Sequence, residues 1–437
     1  MDADVLILGA GAAGLGAARA LRHAGLDVIV VEARGRVGGR VLTLSDPATP
    51  VPVELGAEFL HGDASATVHA ARAYHLPVHE VQDERWGRLR SSLRRVERYD
   101  DRIARALGAA FASAKRTDRA LADAVARARL PASERELVLS FVEGFLAAPA
   151  RMVSTRALAK GGAEGPGRSM RIATGYTSLV TTMAADMTNS LRLGLTAKRL
   201  RWSRGRVILS AAGLTGRTTE LRARSAIVTL PLGVLQAPKG APGHVAFDPP
   251  LDAPHRDGLE QLAMGNVIKV TLRFREPFWS KKGREKAAFF HDAKSPFPTF
   301  WTTMPVHSPV IVAWAGGPAA DALAGLDERR LAEVAVDAFA GALGEDRRHT
   351  HELVEACFFH DWRTDPFARG AYAHALVGGA AALERCSRPI ESTLFFAGEH
   401  TQEAPGTGTV DGALASGERA AREVQHALAH GKVRRAA

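Results

Sequence analysis

Cysteine is nearly missing from this 437-residue chain: Cys357 and Cys386 stand alone, in a spacing that fits no metal site, so no metal is expected. The N-terminus enters an apolar strand at once ("DADVLILGAG") with no basic leader. Together with the two lone thiols this points to a reducing, cytoplasmic setting. No apolar run reaches the ~18–20 residues needed to cross a bilayer, so no membrane association is expected. Internal repeats and low-complexity tracts are absent as well. Lysine is scarce: only 10 of the 57 basic residues are lysines, so arginine is the usual surface cation. Much of the basic charge behind the net +10 lies in 85–130, where arginines alternate with acids and alanines in a helical pattern. A nucleic-acid binder would gather such charge on one face and interleave aromatics. A solvated helical region accounts for it here, and no nucleic-acid partner is expected.

What is present is the composition of an ordinary globular protein, 46% hydrophobic and 24% charged. A chain of this length buries roughly three quarters of its unfolded surface. Residues 4–9 read as an apolar strand, 12–24 as a helix and 27–32 as a second apolar strand, a βαβ opening. Helix is expected over 66–75, over most of 85–160 with a break at Pro131, and from 170 to 187. Strands are expected near 191–202, 206–211, 219–230, 266–275, 287–291, 299–303 and 309–315, then a helix near 327–343. A buried strand at 392–400 and a helix over 409–430 close the chain. Strand–helix alternation at both ends, around a mixed middle, predicts an α/β fold with one doubly wound nucleotide domain assembled from separated pieces.

The strongest signal is "LILGAGAAGLGAARALRHAGLDVIVVEAR". Gly9, Gly11 and Gly14 supply G-x-G-x-x-G between strand and helix. The first allows the tight turn, the second admits a pyrophosphate against the backbone, and the third lets helix pack on strand. Ala12 and Ala13 lie between them, at the helix N-terminus on which phosphates sit. Glu32 ends the second strand, where an acid accepts a hydrogen bond from a ribose hydroxyl. An NADP site would want a cation there, so adenosine with a free 2′-OH is implied. The stretch "EARGRVGGR" (32–40), with Ala33, Arg34, Gly38, Gly39 and Arg40, adds glycines and arginines that an NAD site does not need.

At these residues the chain resembles the flavin amine oxidase superfamily of monoamine oxidases, polyamine oxidases and flavin lysine demethylases. The likeness continues in family order through "ELGAEFLHG" (54–62), "AIVTLPLGVL" (226–235), "FDPPL" (247–251), "MGNVIKVTLRFREPFW" (264–279), "DWRTDPFARGAYAHA" (361–375) and "FAGEHTQEAPGTGTVDGALASGERAA" (396–421). The resemblance implies an FAD-binding Rossmann-like domain from 1–75, 168–236 and 388–430. It implies an α+β substrate domain from 76–167 and 237–387, with 431–437 a short basic tail. FAD contacts are implied for the 32–40 stretch and for Gly56, Ala57, Glu58 and Phe59 along the ring segment. Ala197 is implied against adenine, and Gly398 and Glu399 near the pyrophosphate and ribityl chain. Thr409 and Val410 open the last helix, whose N-terminus carries about half a positive charge, suited to anionic reduced flavin. Trp362 matches a tryptophan packed near the ring, although as a residue it reads equally well as a core aromatic.

Several positions depart from the family pattern. Tyr372 matches one aromatic-cage tyrosine, but Ala371 stands where monoamine oxidases carry the flavin-linking cysteine, so non-covalent FAD is implied. The second cage position is Thr409. Phe59 stands where L-amino-acid oxidases place a carboxylate-binding arginine, which argues against an amino-acid substrate. His61 matches a histidine of many polyamine oxidases. It either meets an ammonium or relays a proton near pH 7, or serves its loop. Glu143, in "SFVEGFLAAP", reads either as the holder of a distal ammonium or as a surface acid.

Lys269 is the sharpest case. Ile268, Val270, Leu272 and Phe274 alternate with Val267, Lys269, Thr271 and Arg273, the period of a strand with one apolar face. From this stretch alone Lys269 belongs to a solvated face. The resemblance implies instead that the lysine of this G-x-x-x-K strand meets flavin N5 through a water. The expected activity is FAD-dependent oxidation of an amine C–N bond to an imine, then to aldehyde plus ammonia or a smaller amine. O2 is reduced to H2O2, and Lys269, Tyr372, His61 and Trp362 are the expected catalytic residues. A polyamine or secondary amine is the expected substrate and a monomer or homodimer the expected state. A flavin desaturase or natural-product oxidase, and a flavoprotein acting through a binding partner, are the alternatives.

Overall fold

The computed structural model describes residues 1–89, 92–114, 117–161, 167–281 and 283–436. A five-stranded parallel sheet runs in the order Leu191–Arg192, Val28–Val31, Val5–Leu8, Ser225–Val228, Leu394–Phe396. Its central strands are apolar at nearly every position because both faces are covered. Val5, Ile7, Val28 and Val30 join the core beneath the helices Ala12–His23 and Val410–Ala436. Leu6, Leu8, Ile29 and Val31 face the other way, onto a four-stranded sheet built from Thr218–Ala223, Arg206–Gly213, Leu195–Ser203 and Ala246–Asp248. The two helices cross at small residues: a Cβ on Gly417 would lie 2.1 Å from the carbonyl oxygen of Ala13.

The second body is a seven-stranded sheet in the order Val354–Phe359, Val267–Phe274, Val310–Gly316, Thr299–Thr302, Phe289–His291, Arg85–Leu89, Ser92–Arg95. On one face Ile268, Val270, Leu272 and Phe274 enter an aromatic core around Phe339 of the helix Glu328–Leu343. On the other face Val267, Lys269 and Thr271 are buried too. The alternation read from sequence is therefore present, but the polar face is covered rather than solvated. The helices Tyr99–Ser113, Leu121–Arg127 and Ala132–Phe145 share a separate apolar cluster beside this sheet.

Two helical expectations fail. Helix begins only at Tyr99, because Arg85–Leu89 and Ser92–Arg95 form a strand pair that joins the sheet edge in parallel register with Phe289–His291. Trp86 and Leu93 pack against the aromatic core, and that non-local burial outweighs the helical charge pattern. Likewise Ser169–Ile172 is a strand between Leu60–His61 and Val78–Glu80, and the helix after it is confined to Tyr176–Ala185. Gly175, at φ 83°, makes the turn between them. The last helix continues through 431–436, the stretch read as a tail. Among the described residues no helix is long and apolar enough to cross a membrane.

Candidate active site

A cavity of about 1040 Å³ runs from the C-terminal edge of the parallel sheet to the inner face of the seven-stranded sheet. Lys269, Tyr372, His61, Trp362 and every individually named cofactor residue border it except Gly14, whose task is behind the wall: a Cβ there would sit 1.9 Å from the carbonyl oxygen of Gly9. Gly9 itself adopts φ 112°, open to glycine at no steric cost. Gly11 caps the first helix without any side chain over its amides, so the N–H groups and helix dipole face the cavity unblocked.

Glu32 is 5% exposed. Its two carboxylate oxygens accept main-chain N–H bonds from Ala10 and Arg34, both at 2.9 Å, which fixes the carboxylate while leaving lone pairs for a ligand hydroxyl. Arg34 is pinned by Asp365 at 2.6 Å and stacks over Phe367. Burial alone would raise the Asp365 carboxyl, but hydrogen bonds with His360 and Arg34 hold it far below the usual range. Gly38 bridges to Gly11, while Arg36 donates to the carbonyls of Val37, Gly39 and Val41 and so ties the glycine loop to itself. Arg40 donates to Glu399 Oε1 at 2.9 Å and to the carbonyl of Ala371 at 2.7 Å, joining three separated motifs. Thr409 accepts from the N–H of Gly412 as the cap of the last helix.

The sheet end of the cavity is built around Lys269, 4% exposed. Its Nζ lies 2.7 Å from Glu58 Oε2 and donates to the carbonyl of Gly56 at 3.2 Å. Gly56 is packed so tightly that a Cβ would meet the Arg40 carbonyl oxygen at 1.9 Å and the Trp362 ring at 3.2 Å. Trp362 in turn donates from Nε1 to the carbonyl of Leu55 at 2.8 Å. Glu58 Oε1 accepts from Arg171 Nε at 2.9 Å and from Trp301 Nε1 at 3.0 Å. Burial works against the Glu58 charge, but Lys269 and Arg171 outweigh it and hold the carboxyl below its ordinary range.

Beyond Lys269 the walls are aromatic: Phe59, Phe145, Phe289, Trp301 and Trp314 border the space. His61 is pushed down to about 4 by burial and by Arg85, so its imidazole is neutral at neutral pH. Its Nδ1 is 3.1 Å from Ser169 Oγ. Tyr372 donates to the carbonyl of Phe145 at 2.7 Å, and burial with the Glu399 charge pushes its phenol up, so it stays a neutral donor. Glu143 does not border the cavity. Its Oε1 accepts from the N–H of Ala150 at 3.0 Å, a local brace that explains the acid without any ammonium. Glu136, two turns earlier in the same helix, does border it and is exposed. Arg171 and Trp301 carried no sequence signal, since they lie 113 and 243 residues from the Glu58 they hold.

The cradle suits FAD: free helix amides, a buried acceptor carboxylate and close-packed glycines line one end of a space long enough to continue into an aromatic chamber. Comparison with known proteins agrees. Residues 12–425 match the family model described as flavin containing amine oxidoreductase. Polyamine oxidase 3 of Oryza sativa subsp. japonica is 26% identical over 96% of this chain and 88% of the relative. A putative flavin-containing monoamine oxidase, AofH, of Mycobacterium tuberculosis (strain CDC 1551 / Oshkosh) is 26% identical over 96% of each chain. Putrescine oxidase bound to putrescine superposes with a TM-score of 0.82 at 22% identity, over 98% of this chain and 99% of that one. Cyclohexylamine oxidase from Brevibacterium oxydans IH-35A gives 0.82 at 18%, over 98% and 100%. The chain belongs to the flavin containing amine oxidoreductase family, with the fold of these amine oxidases and FAD as its cofactor.

Proposed function

We propose that this protein oxidises the C–N bond of a small aliphatic amine to an imine, with O2 as the final acceptor and H2O2 as product. The observation that carries the reading is the single cavity joining the nucleotide cradle to an aromatic chamber, with Lys269 at the junction. FAD supplies the two-electron acceptor when bound. The glycines of 9–14 and 38–39, Glu32, Arg40 and the amides of the last helix would hold it. Ala371 offers no sulfur, which supports non-covalent attachment.

The chain's own residues prepare the amine. An aromatic chamber desolvates the substrate and so favours the neutral amine over ammonium. His61, neutral above about pH 4, presents an uncharged imidazole to the chamber, with Nδ1 beside Ser169 Oγ. Lys269 holds a donor at the inner end, and Tyr372 and Trp362 narrow the approach. For a polyamine, Glu58 is already occupied by two cations, so the carboxylate for a distal ammonium is Glu136 at the outer wall, which has no ion-pair partner among the described residues. The names of the polyamine oxidase relatives support that substrate class. A peroxide-coupled screen of FAD-loaded protein over mono-, di- and triamines is the test. Amine-dependent peroxide is expected, and flavin-loaded protein silent with every amine would refute the oxidase reading.

A further inference from the structure

Glu58, expected along the flavin ring segment, is held by three side chains of its own. Both oxygens of Glu58 are held: Oε2 by Lys269 at 2.7 Å, Oε1 by Arg171 and by the Trp301 indole. Arg171 is itself immobilised, donating to the carbonyls of Met304 and Thr302 at 3.0 Å each and lying over the Phe59 ring at 4.5 Å. The Glu58 side chain is 9% exposed and that of Lys269 4%, and a charge so deeply buried persists only when paired. Removing the carboxylate would leave two cations facing each other.

An ammonium has three donors. The Gly56 carbonyl takes one, the Glu58 carboxylate is ion-paired with the ammonium at 2.7 Å, and Lys269 borders the cavity, so a donor remains for it. We propose that Glu58 is a positioning residue: clamped by Arg171 and Trp301, its carboxylate fixes the charge and direction of Lys269 so that one N–H is presented to the reacting end of the cavity. This rests on the reading above that Lys269 handles protons there. It differs from a merely structural salt bridge because it acts on the reaction only through Lys269.

The test is a double-mutant cycle on FAD-reconstituted protein with Glu58→Gln, Lys269→Met and the pair. Glu58→Gln keeps the shape and an acceptor for Arg171. Anaerobic stopped flow over a range of amine concentrations separates the limiting rate of flavin reduction from amine affinity, and reoxidation is followed separately. FAD dissociation constants and thermal midpoints of the apoproteins report on structure. Lys269→Met is expected to slow a half-reaction at least ~10-fold. Glu58→Gln should slow the same half-reaction, with FAD affinity within about threefold of wild type. The double variant should be no slower than Lys269→Met. Losses that multiply, or a Glu58→Gln rate equal to wild type beside a slow Lys269→Met, would overturn the positioning role alone. A Lys269→Met at wild-type rate in both half-reactions would remove the role of Lys269 and this inference with it. Should Glu58→Gln fail to fold, Glu58→Asp, which keeps the charge but withdraws it by one methylene, replaces it with the same criteria.

Discussion

Replacing Glu32 by alanine separates cofactor recognition from folding. The carboxylate accepts from two main-chain N–H groups at 2.9 Å and borders the cavity at its nucleotide end. A hydrogen bond from a ribose hydroxyl to such a charged acceptor contributes about 1.5–3 kcal/mol. At 1.4 kcal/mol per decade its loss weakens FAD binding by roughly 10- to 150-fold. The two orphaned N–H donors lower the stability of the apoprotein too, by on the order of 1–3 kcal/mol for each that water does not reach. Titrating apoprotein with FAD and with FMN, by flavin fluorescence, distinguishes the two effects. FMN has no adenosine ribose, so its affinity should change little while that of FAD falls by at least a decade. Equal losses for both flavins, or an unchanged FAD dissociation constant, would refute the assignment of Glu32 to the ribose.

Three further outcomes follow from the same geometry. His400 is 2% exposed and pushed down to about 4 by burial, so the unfolded chain binds its proton near 6.5 while the folded one does not. Its neutral burial costs nothing above pH 6.5, and stability falls as pH drops from 6.5 towards 4, by on the order of 3 kcal/mol. Denaturant midpoints measured across that window should flatten in His400→Gln, and an unchanged slope would contradict it. Glu136→Gln should raise KM for triamines more than for simple alkylamines, while Glu143→Ala, which removes the acceptor for the Ala150 N–H, should lower the thermal midpoint without selective effect on long amines; the reverse pattern would restore Glu143 to the substrate. Acid precipitation should release all flavin into the supernatant, and colour retained in the washed pellet would reveal a covalent link.

The parts of this molecule legible in its sequence are those set by local geometry. The opening βαβ unit follows from apolar runs and from glycines whose spacing matches a turn and two close contacts. The strand Val267–Phe274 follows from a strict period of two. What covers the polar face of that strand was not legible. Lys269 meets Glu58, and Glu58 meets Arg171 and Trp301, across sequence separations that no pattern reports. The same limit explains the misread stretch at 85–95: an arginine-rich run has helical charge spacing, but its partners are Phe289–His291 and an aromatic core far along the chain. Glu143 shows the converse, an acid in the right helix whose carboxylate is spent on a backbone N–H seven residues away.

Mixing FAD-loaded protein with amine in the absence of oxygen shows whether the cavity brings an amine to a bound flavin. Loss of the oxidised-flavin absorbance is expected at a rate that saturates with amine concentration, with full recovery and release of about one H2O2 per flavin when O2 is readmitted. A flavin that stays oxidised with every mono-, di- and triamine offered, in protein shown to be folded and loaded, would contradict that role of the cavity.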